Sequence, residues 1–128
     1  MDVISVHAYP LAGDASTASS LNTIDAVRAV SGSFVDGSKP IWVTETGVTT
    51  SGPTAVSEAE QATRLGLLES GLRAAAGVEM VLIHTLIERN RAVFDPERGY
   101  GVITSGLRKK PAYCTLALAW GAKSCGAG

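Results

Sequence analysis

The sequence lacks an excess of charge of either sign. Its 128 residues contain 11 lysine and arginine side chains against 12 aspartate and glutamate side chains, which gives a net charge of −1. Affinity for nucleic acid phosphates and for anionic lipid headgroups comes mainly from clustered Lys and Arg side chains. We therefore expect neither a nucleic acid nor a membrane surface among the partners of this chain.

Long hydrophobic runs are also missing, and the first residues do not have the pattern of a signal peptide. The longest apolar run, residues 78–87, is interrupted by Glu79 and His84, and it is far shorter than the ~20 residues that a membrane-spanning helix needs. Residues 1–3 lack the positive charge with which a signal peptide begins. The first residues are therefore expected to lie within a fold. Localisation stays open, with secretion of a longer parent protein as one alternative.

Cysteine is scarce, since Cys114 and Cys125 are the two in the sequence. Two thiols cannot form a four-ligand zinc site, and neither has a histidine at the short spacing such sites use, so no metal site is predicted. On one continuous helix these residues would lie roughly 16 Å apart, so a disulfide requires the helix to end before Cys125. Gly121 and Gly126 allow that end. A disulfide and two free thiols both remain open.

Three short runs have the composition of strands that are buried on both faces. Each is almost continuously apolar until its last residue, and they are Val3–His7, Ile41–Glu45 and Met80–His84. Ile4, Val43 and Leu82 are 39 positions apart, so the strands recur at one interval. This pattern is typical of a parallel sheet covered by helices.

Helical patterns follow each of these runs. Apolar residues recur at every third position from Leu21 to Val30, which predicts a first helix facing the sheet. Ser57 and Glu60 form a capping box at the start of a second helix, whose apolar face comprises Leu65, Leu68 and Leu72. Pro111 suits the first turn of a third helix, on which Trp120 is expected to pack against the sheet.

The predicted order is therefore βαβαβα, an α/β fold with three parallel strands. Three such strands alone would leave two open sheet edges, which is a poor prospect for independent stability. An eight-stranded (β/α) barrel uses about 250 residues. We predict that residues 1–128 form one incomplete domain, the carboxy-terminal portion of a (β/α)8 TIM barrel.

Polar, reactive residues follow each predicted strand. His7 and Tyr9 follow the first, Glu45 ends the second, and His84 and Glu88 follow the third. The carboxyl ends of the strands in a (β/α) barrel share one rim, where active sites lie. Strict alternation would point Glu45 into the barrel mouth together with Ile41 and Val43. Trp42 and Thr44 would then pack against the helices.

These strand ends resemble strands six to eight of the retaining clan A (β/α)8-barrel glycoside hydrolases, especially the cellulase and β-xylosidase-like families. Residues 2–10 (DVISVHAYP) resemble the sixth strand with its His-x-Tyr-Pro ending, and residues 39–47 (KPIWVTETG) resemble the seventh. Residues 99–102 (GYGV) and 110–113 (KPAY) resemble the stretch after the eighth strand. Together these segments span nearly the whole chain.

The resemblance implies cleavage of β-glycosidic bonds in carbohydrate with retention of configuration and without a cofactor. It makes Glu45 the catalytic nucleophile, with His7 and Tyr9 supporting that carboxylate by hydrogen bonds. His84, which stands where the clan usually has a sugar-stacking Trp, and Glu88 are candidate substrate contacts. The mechanism needs a second carboxyl group as acid/base. The clan supplies it from an Asn-Glu pair after the fourth strand, and this sequence contains no such pair.

Several alternatives stay open at this point. The chain on its own is either half of an enzyme or a non-catalytic barrel fragment that acts as a sugar-binding or assembly module, with the other barrel units or a second copy as its partner. Residues 88–98 also fit a solvated, ion-paired loop that would include Glu88, Asp95 and Glu97. His84 also fits a barrel-interior histidine, and Thr49–Gly52 a phosphate-binding loop.

Overall fold

A computed structural model describes residues 3–34 and 37–126 of the chain. Three strands alternate with three helices, and a short 3₁₀ turn at Pro96–Arg98 precedes the last helix. The strands are β1 (Ile4–His7), β2 (Ile41–Thr46) and β3 (Val78–Ile83). The helices are α1 (Ala18–Ser31), α2 (Glu58–Ala74) and α3 (Pro111–Ala119). The predicted βαβαβα order is confirmed.

The three strands form one parallel sheet in the order β1-β2-β3. Parallel neighbours joined through a helix make right-handed crossovers, and successive crossovers in the same direction leave their helices on one face of the sheet. That face carries the hydrophobic core. The carboxyl ends of all three strands therefore lie at one edge of the molecule.

Two β2 side chains that were expected to point into the barrel, Ile41 and Val43, face the helices instead. Ile41 and Val43 are fully buried and belong to one hydrophobic cluster with Leu65, Leu68 and Leu72 of α2, so they face the helices. Trp42 belongs neither to this cluster nor to the side chains packed against it. It pairs in register with Ser5, which is exposed on the opposite face.

The expectation that Trp42 and Thr44 pack against the helices is therefore wrong. The Thr44 hydroxyl lies 2.8 Å from the hydroxyl of Ser5 on that same open face. The Trp42 indole nitrogen is buried and has no hydrogen-bond partner within the described part of the chain. Apolar residues fill both faces of a barrel strand, so composition alone did not distinguish the two directions.

Both predicted helix starts that rest on local chemistry are confirmed. The Ser57 hydroxyl accepts a hydrogen bond from the Glu60 amide at 3.1 Å, as a capping residue does. Pro111 occupies the first turn of α3. The chain after α2 turns at Gly77, whose φ of +72° is favourable for glycine, and a Cβ there would collide with the Arg28 guanidinium.

Residues 120–126 fold back along α3. This helix ends at Ala119, and the return of the chain brings Cys114 and Cys125 to a Cα–Cα distance of 5.3 Å in a disulfide. Trp120 does not pack between helix and sheet as expected. It is about half exposed, and its indole N–H donates to the Glu69 carboxylate of α2 at 3.0 Å.

Candidate active site

The site lies at the carboxyl end of the sheet, where regular strand pairing breaks down. The Ala8 amide donates to the Glu45 carbonyl at 3.0 Å, and the His84 amide donates to the Thr46 carbonyl at 2.7 Å. The β1–β2 register shifts between Val6 and His7, and the β2–β3 register shifts between Val43 and Thr46.

This second shift explains how Glu45 reaches the open rim. Val43 and Thr46 are both fully buried, and the two partly exposed residues Thr44 and Glu45 lie between them where strict alternation allows one. The Thr46 hydroxyl donates to the Ala8 carbonyl at 2.6 Å, and this bond stabilises the irregular backbone of β2. The rim position of Glu45 therefore depends on a bulge, because regular alternation from Val43 would direct Thr44 away from the core and Glu45 into it.

Three side chains converge on the Glu45 carboxylate. His7 Nδ1 lies 2.9 Å from Oε2, and His84 Nδ1 lies 3.3 Å from Oε1. The Tyr9 hydroxyl is also hydrogen-bonded to this carboxylate. The carboxylate is about one-third exposed, so both of its oxygens have protein partners while one side stays open to solvent.

The surroundings of Tyr9 keep its phenol protonated, so that it can donate a hydrogen bond. Burial and the adjacent negative charge of Glu45 raise the pKa of the Tyr9 phenol well above its usual range. It therefore keeps its proton at neutral pH and can donate to Glu45. A fixed donor of this kind orients the carboxylate, and a nucleophilic carboxylate reacts in its ionised form.

Aromatic rings form a wall beside this carboxylate. Tyr100 meets Tyr9 edge to face at 5.6 Å between ring centroids and lies tilted against His84 at 5.2 Å. Gly47 makes this approach possible, because a Cβ there would lie 2.4 Å from the His84 carbonyl oxygen and 2.9 Å from a Tyr100 ring carbon. Sequence reasoning gave Tyr100 no role, although an aromatic residue between Gly99 and Gly101 was visible.

Glu97 joins the site, which the sequence did not predict. Its Oε2 lies 3.2 Å from Nε2 of His84, so the imidazole ring stands between Glu97 and Glu45. The expectation of a solvated, ion-paired loop is confirmed for Asp95, which pairs with Arg91 at 3.2 Å. Glu97 is also exposed and ion-paired, but its partner is His84 at the rim and not an arginine of the loop.

Glu88 has a different partner. Its carboxylate lies 2.5 Å from the Lys110 ammonium, and the Lys110 side chain is almost fully buried. The same ammonium donates to the Thr50 hydroxyl at 2.9 Å and to the Gly99 carbonyl at 3.2 Å. This network joins the loops that follow β2 and β3. Contact of Glu88 with substrate stays a prediction.

Comparison of this fold with solved structures finds glycoside hydrolases. A family 39 glycoside hydrolase from the gut symbiont Bacteroides cellulosilyticus WH2 matches 92% of the chain at 20% identity, with a TM-score of 0.75. A β-glucuronidase from Faecalibacterium prausnitzii matches 94% at 16% identity and a TM-score of 0.69. One from Bifidobacterium dentium, complexed with coumarin-3-O-glucuronide, matches 94% at 19% identity and a TM-score of 0.69.

These likenesses show a shared fold. The predicted α/β class, three parallel βα units consistent with part of a (β/α)8 barrel, is confirmed. The chain spans 26% of the first of these proteins and 22% and 20% of the other two. No known protein-family description matches the sequence, and no curated protein matches it.

The loop at Thr49–Gly52, for which phosphate binding was an alternative, binds the loop after β3 through its hydroxyl groups. The Thr49 hydroxyl donates to the Pro96 carbonyl at 2.6 Å, and the Ser51 hydroxyl donates to the Val93 carbonyl at 2.6 Å. Both hydroxyls are thus used within the protein. Across residues 3–34 and 37–126, no group of His, Cys, Asp and Glu could hold a metal ion, and no helix is long and apolar enough to cross a membrane.

Proposed function

We propose that this chain supplies the nucleophile side of the active site of a retaining β-glycoside hydrolase. The observation that carries the proposal is the Glu45 carboxylate at the strand ends, with His7 on one oxygen and His84 on the other. The Tyr9 phenol is hydrogen-bonded to the same carboxylate. A carboxylate that is oriented in this way suits attack on an anomeric carbon.

The proposed reaction has two steps. A Glu45 oxygen attacks the anomeric carbon while the bond to the leaving oxygen breaks, and the leaving oxygen takes a proton from an acid. Water then attacks the anomeric carbon of the glycosyl ester, its proton passes to the conjugate base of that acid, and the Glu45 carboxylate is released. In the described residues Glu97 stands on the far side of the His84 ring from Glu45. We therefore assign the acid/base carboxyl group to further barrel units.

The proposed substrate is a β-linked carbohydrate. Tyr9 and Tyr100 offer aromatic surface beside Glu45, and apolar ring faces suit the C–H faces of a sugar ring. His84 is mostly buried between the two carboxylates, with about one-seventh of its side chain exposed. A substrate contact by His84 therefore involves the exposed edge of its ring. A cellulase-like or xylosidase-like specificity is part of this proposal.

Assembly with further barrel units is the second part of the proposal. One apolar cleft of about 730 Å³ runs beside β1 and α1 and is lined by Leu11, Val30 and Phe34. A second, of about 380 Å³, lies beside β3 and α3 and includes Leu82 and Trp120. We propose that βα units from a longer polypeptide or from a second copy cover both. These clefts also support the alternative of a non-catalytic assembly or sugar-binding module.

Covalent trapping tests the catalytic part. The chain is incubated with 2,4-dinitrophenyl 2-deoxy-2-fluoro-β-glycosides, whose leaving group needs little protonation, and the labelled peptide is mapped by mass spectrometry. We expect the label on Glu45 and none in Glu45→Gln. Glu79→Gln, an exposed β3 carboxylate, is the matched control that should label as the unaltered chain does. Label on another carboxylate, with Glu45 unmodified, would contradict the proposal.

Sedimentation equilibrium with thermal circular dichroism tests the assembly part. A requirement for further units predicts self-association or a gradual, non-cooperative melt for the chain alone. A monomer that melts in one cooperative transition would contradict that requirement.

A further inference from the structure

The ring of His84 lies between two carboxylates. Nδ1 is 3.3 Å from Glu45 Oε1, and Nε2 is 3.2 Å from Glu97 Oε2. A neutral imidazole carries one N–H and can donate from one nitrogen, whereas an ionised carboxylate only accepts. The ring could donate to both carboxylates only with a proton on each nitrogen, which is one more proton than a neutral histidine and two ionised carboxylates hold.

The segment that carries Glu97 is firmly attached to the loop after β2. The Thr49 hydroxyl donates to the Pro96 carbonyl, and the Gly99 carbonyl accepts from the Thr50 amide at 3.1 Å and from the Gln61 side chain at 3.1 Å. The Asp95 carboxylate also accepts from the Glu97 amide at 2.9 Å. The segment that carries Glu97 is thus fixed to the loop that follows β2, the strand that carries Glu45.

The remaining group in contact with the ring is aromatic. Tyr100 lies against His84, and burial followed by the charges of Glu97 and Glu45 raises the pKa of Tyr100. Tyr100 and Tyr9 are therefore both neutral donors at neutral pH. His7 faces the other oxygen of Glu45. The charged groups in contact with the His84 ring in the described structure are thus two carboxylates.

We propose that Glu97 is a positioning residue for Glu45 and acts through His84. This rests on the proposed function. Glu97 binds the Nε2–H of a doubly protonated ring, so that Nδ1–H stays on Glu45 and the positive charge of the ring is balanced from the outer side. Without Glu97 the ring can lose that proton or turn, and Glu45 loses one of its donors.

The proposed role of Glu97 is compatible with both steps of the reaction. Glu45 uses an oxygen lone pair to form the bond to the anomeric carbon, and the electron pair of the breaking bond leaves with the leaving oxygen, which is protonated by the separate acid. The Glu45 ester carries no negative charge, and the ring then keeps Glu97 as its counter-ion. Hydrolysis by water restores the Glu45 carboxylate. No proton leaves His84 in either step.

Ring nitrogen NMR tests the proposal without turnover. The chain has two histidines, so ¹⁵N-histidine labelling gives two ring systems, and His7→Gln assigns them. We expect both His84 nitrogens at protonated shifts at pH 7. Glu97→Gln should reduce the doubly protonated fraction about tenfold, because it removes a charge in contact with the ring. Glu97→Asp should restore part of it, and Glu79→Gln should leave it unchanged.

The rate of labelling by the fluoro glycoside is the second readout. Glu97→Gln should lower this rate about tenfold at pH 7 relative to Glu79→Gln, with an unchanged thermal midpoint. A His84 ring with one unprotonated nitrogen in the unaltered chain, or a ring that Glu97→Gln leaves unchanged, would overturn the role of Glu97. Absence of label from the unaltered chain would overturn the proposed function instead, and the NMR result would still decide on Glu97.

Discussion

His7 Nδ1 lies 2.9 Å from Glu45 Oε2, across a pair of parallel strands that lose their regular register at this point. The contact joins the last residue of β1 to a bulged residue of β2. It depends on the insertion of one residue between Val43 and Thr46, both of which face the core. The geometry of the site is therefore a property of irregular backbone at the ends of otherwise regular strands.

The buried face of α2 provides a stability prediction. Leu68 is 1% exposed within the core, whereas its neighbour Leu67 is 45% exposed. Leu68→Ala should lower the free energy of unfolding by about 2–5 kcal/mol, because it removes buried methyl groups and leaves a cavity. Leu67→Ala in the same helix should change it by less than about 0.5 kcal/mol. Urea denaturation measures both, and equal effects would contradict the assigned helix face.

A pH-dependent prediction concerns Asp14, which precedes α1. Its carboxylate accepts from the Ser19 hydroxyl at 2.6 Å and from the Ser19 amide at 2.8 Å, and these bonds, with those from Ser16, hold its pKa well below its usual range. The folded form therefore stays ionised after the unfolded form has bound a proton. Its contribution to stability is present above about pH 4 and is lost as the pH falls below that value.

Asp14→Asn should accordingly lower the urea midpoint at pH 7, and the difference from the unaltered chain should shrink as the pH falls from about 4. Asp25→Asn provides the control, since Asp25 is exposed on α1. A difference for Asp14→Asn that does not change between pH 7 and pH 2 would show that the carboxylate charge is not what stabilises this turn.

The order of elements could be predicted because local signals decided it. Continuous apolar runs mark strands that are covered on both sides. The Ser57 hydroxyl marks one helix start by accepting from the Glu60 amide, and Pro111 marks another because its fixed φ suits the first turn. The direction of the β2 side chains could not be predicted. Trp42 and Val43 are both apolar, so the choice between faces depends on the helices that cover one side.

Part of the site could also be predicted, because some of its residues are marked by local signals in the sequence. Glu45, His7 and His84 are strand-end residues, and parallel strands bring their carboxyl ends together. Glu97 follows β3 by a long loop, and its place depends on bonds from Thr49, Gln61 and Lys110 to carbonyls of that loop. Such tertiary contacts leave no periodic pattern in a sequence.

Activity of the 128-residue chain alone is the next prediction. It should not hydrolyse an unactivated β-linked oligosaccharide above the uncatalysed background, because proton transfer to the leaving group contributes a factor of about 10²–10⁴ and positioning of the sugar contributes further. Chromatography of the reaction products measures this. Enzymatic turnover that Glu45→Gln abolishes would show that the chain holds its own acid/base.

The most direct measurement of the central claim is the configuration of the product formed when azide replaces the Glu45 carboxylate. Glu45→Ala is mixed with a 2,4-dinitrophenyl β-glycoside and sodium azide, and the glycosyl azide is identified by proton NMR. If Glu45 is the nucleophile, azide enters from its side of the sugar and gives the α-glycosyl azide. A β-glycosyl azide would mean that the nucleophile survives in this variant, which would contradict the account.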